Sequence, residues 1–191
     1  VEHRAGRVTG VGVAGGEVVR AGLVVAAAGA WSGTIAGLPR IPLRPVKGQI
    51  LRLRDPAGAG LLERIVRFEG GYLVPRGDGR YVLGATMEER GFDTTVTAGG
   101  LYELLRDAGE LVPGSRELVL EEAAAGLRPA TPDNAPLLGP APELEGLHWA
   151  TGHHRNGILL APISADIVAD ALGGGAVPPA FAAARFAGVR A

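Results

Sequence analysis

Leu147-His148-Trp149-Ala150-Thr151-Gly152-His153-His154-Arg155-Asn156-Gly157-Ile158-Leu159-Leu160-Ala161-Pro162 is the stretch on which the fold turns. Leu147 to Thr151 is short and mostly apolar, as a buried strand is. Gly152 to Gly157 is a polar loop. From Ile158 an apolar segment runs to Leu172, with Leu159, Ile163, Ile167 and Ala171 expected on one helical stripe. Pro162 is expected in the first turn, where a missing N–H is tolerated, and Gly173-Gly174-Gly175 ends the helix. Strand, glycine-flanked loop, helix is how an α/β sheet presents a helix N-terminus to an anion or a cofactor.

Working outward, Arg7 to Val13 alternates as a strand, Gly15-Gly16 turns, and Glu17 to Arg20 reads as the return strand. Leu23 to Ala28 is apolar on consecutive residues, the pattern of a strand covered on both faces. Trp31 to Leu38 reads as a short helix, and Pro39, Pro42 and Pro45 then break the chain at a domain crossing. From Gly48 to Arg54 apolar and polar residues alternate. Arg64 to Glu69 reads as another strand. Two more, Gly71 to Pro75 and Tyr81 to Thr86, flank Asp78-Gly79, a hairpin signal. Leu101, Leu104, Leu105, Ala108 and Leu111 mark an amphipathic helix over 99–112, and Glu117 to Ala125 reads as a strand. The middle of the chain is therefore expected to be α+β: an antiparallel sheet carrying one helix.

Composition narrows the function classes. The chain has 191 residues, 19 basic against 20 acidic, for a net charge of −1. That balance gives no nucleic-acid footprint and no polybasic membrane surface. Cysteine is absent, which excludes disulfides, thiol nucleophiles and thiolate metal sites. No apolar run approaches the length of a membrane span. The 31 Gly and 14 Pro imply a loop-rich chain, while 47% hydrophobic residues imply a folded one. The chain opens Val1-Glu2-His3-Arg4, without Met or an apolar leader, so it is expected to be a fragment of a longer, cytoplasmic protein.

Four segments recur together in one order: Val25-Ala26-Ala27-Ala28-Gly29-Ala30-Trp31-Ser32; Gly71 to Arg76 with Gly84-Ala85-Thr86-Met87; Ala125-Gly126-Leu127-Arg128-Pro129 with Thr131-Pro132-Asp133; and Gly152 to Ile158. On these the chain resembles the C-terminal half of the flavin-dependent amine and D-amino-acid oxidases, most closely the glycine-oxidase branch of thiamine synthesis. The resemblance implies a dinucleotide-binding α/β domain and an antiparallel substrate domain with FAD, held non-covalently, between them. It divides this chain into a remnant of the FAD domain over 1–43, a substrate domain over 44–127 and a return segment over 128–191. The family's G-x-G-x-x-G turn, which holds the FAD pyrophosphate, has no counterpart here, so most of the FAD site is expected to lie outside this chain.

The resemblance also implies roles. Arg128 grips the substrate carboxylate, a task suited to a planar guanidinium. Tyr72 reaches the same carboxylate, Met87 lines the cavity, and Arg155 stands at its mouth. Gly152, His153, His154, Arg155, Asn156, Gly157, Ile158, Leu159 and Gly29 fall around the cofactor, where backbone N–H groups stabilise negative charge on the flavin edge. His154 departs from the aromatic residue usual in relatives. A metal at His153-His154 is rejected, since adjacent residues on a short loop do not converge on one ion. No side chain is identified as a catalytic base. The implied substrates are a small amino acid and dioxygen, and the products hydrogen peroxide with an imine or 2-oxo acid and ammonia, or an imine handed to a thiazole synthase. Sarcosine-oxidase-like and D-amino-acid dehydrogenase activities remain open. This chain on its own is expected to be inactive, and its strand Leu23–Ala28, lacking sheet partners, is expected to drive association into a homo-oligomer.

Overall fold

The computed structural model describes residues 1–58 and 60–186; the end of the 128–191 segment, 187–191, lies outside the described residues. In chain order the strands are β1 (Glu2–Arg4), β2 (Arg7–Gly12), β3 (Val18–Arg20), β4 (Val24–Ala26), β5 (Arg44–Arg54), β6 (Val66–Phe68), β7 (Gly71–Pro75) and β8 (Arg80–Gly84). Helix α1 (Ala98–Leu111) follows, then β9 (Val119–Ala130), β10 (Leu137–Pro140), β11 (Leu147–Thr151) and α2 (Gly157–Leu172). The chain forms two compact units, one of Val1–Pro45 with Arg128–Ala191, the other of Val46–Leu127.

The first unit holds two small sheets. One is the antiparallel β1-β2-β3 ribbon; the other runs β10-β11-β4, with β10 antiparallel to β11 and β11 parallel to β4. Helix α2 packs on β10 and β11. The core is Val8, Ala26, Leu137, Ala141, Leu144, Leu147 and Trp149. Leu147 and Trp149 point inward because their strand alternates, and Trp149 is fully buried.

Four expectations are corrected here. The segment after β4 is a 3-10 helix, Gly29–Thr34, rather than a helix over 31–38. Its sequence, with two glycines and a β-branched Thr34, favours no longer α-helix. The strand within Leu23–Ala28 is covered on one face only, since Ala26 is buried while Val25, Ala27 and Ala28 are exposed. The stripe of α2 is also displaced: Ser164, Val168 and Ala171 are buried, whereas Leu159 and Ile163 are exposed. That helix is apolar nearly all round, so periodicity does not select a face. Because α2 begins at Gly157, Pro162 lies in its second turn and removes the bond that Ile158 C=O would accept; the 96% exposure of Ile158 leaves that carbonyl accessible to water.

The second unit is a five-stranded sheet, β6-β7-β8-β5-β9, with α1 packed against β6, β7 and β8. Alternation along β5 buries Leu51 and Leu53 and sends Arg52 and Arg54 outward to Glu122 and Glu121 of β9. Leu73, Tyr81, Leu83, Leu104 and Ala108 complete the core. Leu105 and Leu111, expected on the same stripe of α1, are exposed. At the hairpin it is Gly77 and Gly79 that take positive φ, not Asp78, which accepts from Arg80 N and Arg80 Nε. Helix α1 starts at an N-cap, Thr97, whose hydroxyl accepts from Gly100 N.

Candidate functional site

In the first unit, one loop ties most of the expected residues together. Residues 152–156 leave β11 and enter α2. His154 N donates to Pro129 O at 2.8 Å, and His153 bridges Ala130. The loop that carries Arg155 is thus bonded to the end of β9 that carries Arg128. Arg128 is half-buried and Arg155 is exposed. His154 holds φ +49°, a left-handed conformation rare outside glycine and concentrated at functional sites. His153 Nε2 lies 2.9 Å from Ser164 Oγ, which fixes the loop to α2, and burial lowers the His153 imidazole below its ordinary value. Among the described residues, no three His, Asp or Glu gather as ligands for a metal ion.

Helix α2 opens without a side-chain cap: Asn156 occupies the N-cap but its side chain bonds no N–H, and the first turn holds no acid. The first helical bond runs from Leu160 N to Asn156 O. A helix start of this kind leaves backbone donors and the positive end of the dipole available to an anionic or electron-rich group. Ile158 and Leu159 stand out at that start, 96% and 78% exposed. Gly29 takes φ +54°, and its carbonyl accepts from Thr151 Oγ1 at 2.9 Å. An ideal Cβ at Gly29 would meet nothing within 4 Å, so space is open beside it.

Asp133 is a residue whose role the sequence reading did not assign. It accepts from Thr131 Oγ1, Ala135 N and Arg185 Nε, tying the segment after β9 to the C-terminal stretch. The bond from Arg185 outweighs burial and holds the carboxyl down at about 2. A carboxylate with its pKa lowered in the fold adds stability above its ordinary value of 3.8, and that stability is lost as pH falls from there through about 2. Asp133→Asn is expected to flatten this part of the acid-unfolding curve, read by circular dichroism. An unchanged acid limb would remove the tether's contribution.

In the second unit, β7 and β8 place Tyr72 opposite Gly84. An ideal Cβ at Gly84 would come 3.1 Å from the Tyr72 hydroxyl oxygen and 2.9 Å from Ile50 Cγ2, so the absent side chain is what admits the phenol. Gly84→Ala is expected to displace Tyr72 and to destabilise the chain by about 1–3 kcal/mol. Urea unfolding measures the stability, and the Tyr72 ring resonances report the displacement. Met87 follows three residues after Gly84 and is exposed. Tyr72 and Met87 thus share one sheet end of this unit, while Arg128, Arg155 and the 152–159 segment belong to the other unit.

A family model described as FAD dependent oxidoreductase (DAO) matches residues 1–171. The glycine oxidase of Pseudomonas aeruginosa is 42% identical over 171 residues, 88% of this chain and 46% of that protein. The bifunctional protein ThiO/ThiG of Trichormus variabilis is 42% identical over 167 residues, 86% of this chain and 25% of that one. Among solved structures, glycine oxidase from Geobacillus kaustophilus superposes with a TM-score of 0.81 at 38% identity, covering 90% of this chain and 47% of that one. The chain spans about half the length of the curated glycine oxidases it matches.

Proposed function

Because the chain belongs to the DAO family of FAD dependent oxidoreductases, we propose that it forms part of an enzyme that oxidises glycine or another small amino acid. The observation that carries this reading is the 152–157 loop, which links the strand of Arg128 to the uncapped start of α2. A carboxylate grip and an open helix terminus, joined by one loop, are what oxidation of an amino acid beside a flavin needs.

The residues fit FAD. The Gly157–Leu159 N–H groups face the helix start without a side-chain cap, Ile158 and Leu159 offer apolar surface, and Gly29 leaves room. FAD held there would supply a two-electron acceptor for oxidation of the substrate and a route for those electrons to dioxygen. In the proposed scheme Arg128 pairs the substrate carboxylate through its guanidinium fork and so orients the Cα–H, and Arg155 adds positive charge on the neighbouring loop. The family resemblance gives Tyr72 a hydroxyl bond to the substrate carboxylate and Met87 a place in the cavity wall. The substrate amine enters neutral, so no side-chain base is required. Glycine, dioxygen and water then give glyoxylate, ammonia and hydrogen peroxide, or the imine passes to a thiazole synthase. The ThiO/ThiG relative supports that hand-off by the two names it joins in one chain. A cytoplasmic setting belongs to the same reading. Among the described residues, no helix is long and apolar enough to cross a membrane.

The test is glycine-dependent peroxide release by the FAD-loaded protein. Peroxide that needs both glycine and FAD supports the reading. Glycine-dependent reduction of a dye with no peroxide moves the protein to the dehydrogenases. A folded, FAD-loaded full-length enzyme containing this chain that does neither overturns it.

A further inference from the structure

Lys47 and Gln49 are fully buried polar residues two apart on β5, on one face of the strand. They meet Thr86 and Glu88, also two apart, on the segment that leaves β8. The backbone is laddered there: Thr86 N donates to Gln49 O, Glu88 N to Lys47 O, and Lys47 N to Glu88 O. The side chains are bonded as well. Gln49 N donates to Thr86 Oγ1 at 2.9 Å, Thr86 Oγ1 to Glu88 Oε1 at 2.6 Å, and Gln49 Nε2 to Glu88 Oε1 at 2.8 Å. Lys47 Nζ stands 3.4 Å from Glu88 Oε2 and 3.7 Å from Asp93 Oδ2. The other end of Gln49 reaches the start of α1: Nε2 donates to Thr97 Oγ1, and Oε1 accepts from Thr97 N. An ideal Cβ at Gly100 would come 2.3 Å from Gln49 Nε2, so the helix start closes directly on this amide.

Burial pushes the Glu88 carboxyl up, but the bonds from Thr86 and Gln49 and the charge of Lys47 outweigh it and hold it below its ordinary value. Glu88 is therefore ionised at neutral pH. A charged, multiply bonded cluster of this kind specifies one local geometry more than it adds net stability.

Met87 lies between the two pinned residues. In an extended segment, successive side chains point to opposite faces. With the Thr86 and Glu88 side chains on the face of the sheet shared with Lys47 and Gln49, Met87 falls on the opposite face, where it is exposed. We propose that the Lys47–Gln49–Glu88 cluster is a positioning device for Met87: by clamping Thr86 and Glu88 to β5, it holds an otherwise flexible thioether in one place. Met carries three rotatable bonds and adapts to whatever surrounds it, so a fixed backbone is what would give it a defined wall position. The consequence for substrate size rests on the amino-acid oxidase reading above.

The test uses the whole chain labelled with methyl-13C methionine and leucine. Met87 is the only methionine, so one methionine methyl signal reports it. Glu88→Ala and Gln49→Leu are each expected to shift and broaden that signal while the methyls of Leu51, Leu53 and Leu83 stay in place. Glu88→Gln, which still accepts from Thr86 and Gln49, is expected to return it close to the wild-type position. A Met87 signal unmoved by Glu88→Ala and Gln49→Leu overturns the proposal. So does movement shared by the core leucines, or a Glu88→Gln spectrum as altered as that of Glu88→Ala. If Glu88→Ala does not fold, Thr97→Val removes one partner at the helix start and carries the same comparison. Glycine added to the FAD-loaded wild type separates the two readings: a Met87 signal that glycine leaves unmoved removes Met87 from the substrate pocket, while the variant spectra decide the device.

Discussion

In the FAD-loaded full-length enzyme, Arg128→Ala is expected to raise the KM for glycine by roughly two orders of magnitude while leaving FAD affinity unchanged. A hydrogen bond to a charged group contributes about 1.5–3 kcal/mol, and each 1.4 kcal/mol is tenfold in affinity. Loss of a two-pronged pair thus falls near the upper part of that range. Arg128 sits half-buried near the end of β9, between Leu127 and Pro129, where the proline fixes the backbone on one side. Arg128→Lys keeps the charge but loses the fork, so it is expected to recover only part of the loss. Steady-state kinetics separate KM from kcat. An unchanged kcat/KM in Arg128→Ala would remove Arg128 from the substrate grip.

Trp149→Ala is expected to lower the stability of the first unit by about 3–5 kcal/mol, the usual loss when a large buried aromatic becomes Ala. Trp149 is fully buried on β11, in the cluster formed with Val8, Ala26, Leu137 and Leu147. A loss of this size consumes much of the 5–15 kcal/mol that a domain commonly holds. Trp149 Nε1 has no hydrogen-bond partner among the described residues. Trp149→Phe, which removes that buried donor and keeps a ring, is therefore expected to be milder than Trp149→Ala. Urea unfolding followed by circular dichroism measures both, and equal midpoints for the two variants would refute the distinction.

The sequence carried the parts of this fold in which local pattern and tertiary packing agree. Leu51 and Leu53 alternate with Arg52 and Arg54, and the sheet buries the first pair and exposes the second. The Leu147–Leu172 stretch reads as strand, loop and helix, and forms them. Where pattern and packing part, residue type alone does not give the structure. The alternation of Gly48 to Arg54 carries no sign that Lys47 and Gln49 turn inward; they are buried because Glu88, Thr86 and Thr97 satisfy them. β10 leaves no pattern in the sequence, because Leu137 and Leu138 are both buried in a four-residue strand that ends in Gly139-Pro140 and shows no alternation. Helix α2 gives a strong apolar signal without a direction. Of the candidate site, Arg128 and the 152–157 loop were visible through the motifs they sit in. The bond from His154 N to Pro129 O, which links them, is a backbone contact and leaves no mark on residue type.

The parallel pairing of β4 with β11 joins Val24–Ala26 to Leu147–Trp149, about 120 residues further along the chain. On a ribosome adding about 5–20 residues per second, β4 waits roughly 6–24 s for its partner to be made. Val46–Leu127 emerges in the interval and has within itself every strand of its five-stranded sheet from β6 to β8, the facing parts of β5 and β9, and α1. Synthesis order therefore favours the second unit closing first, and the first unit, begun earlier, finishing last.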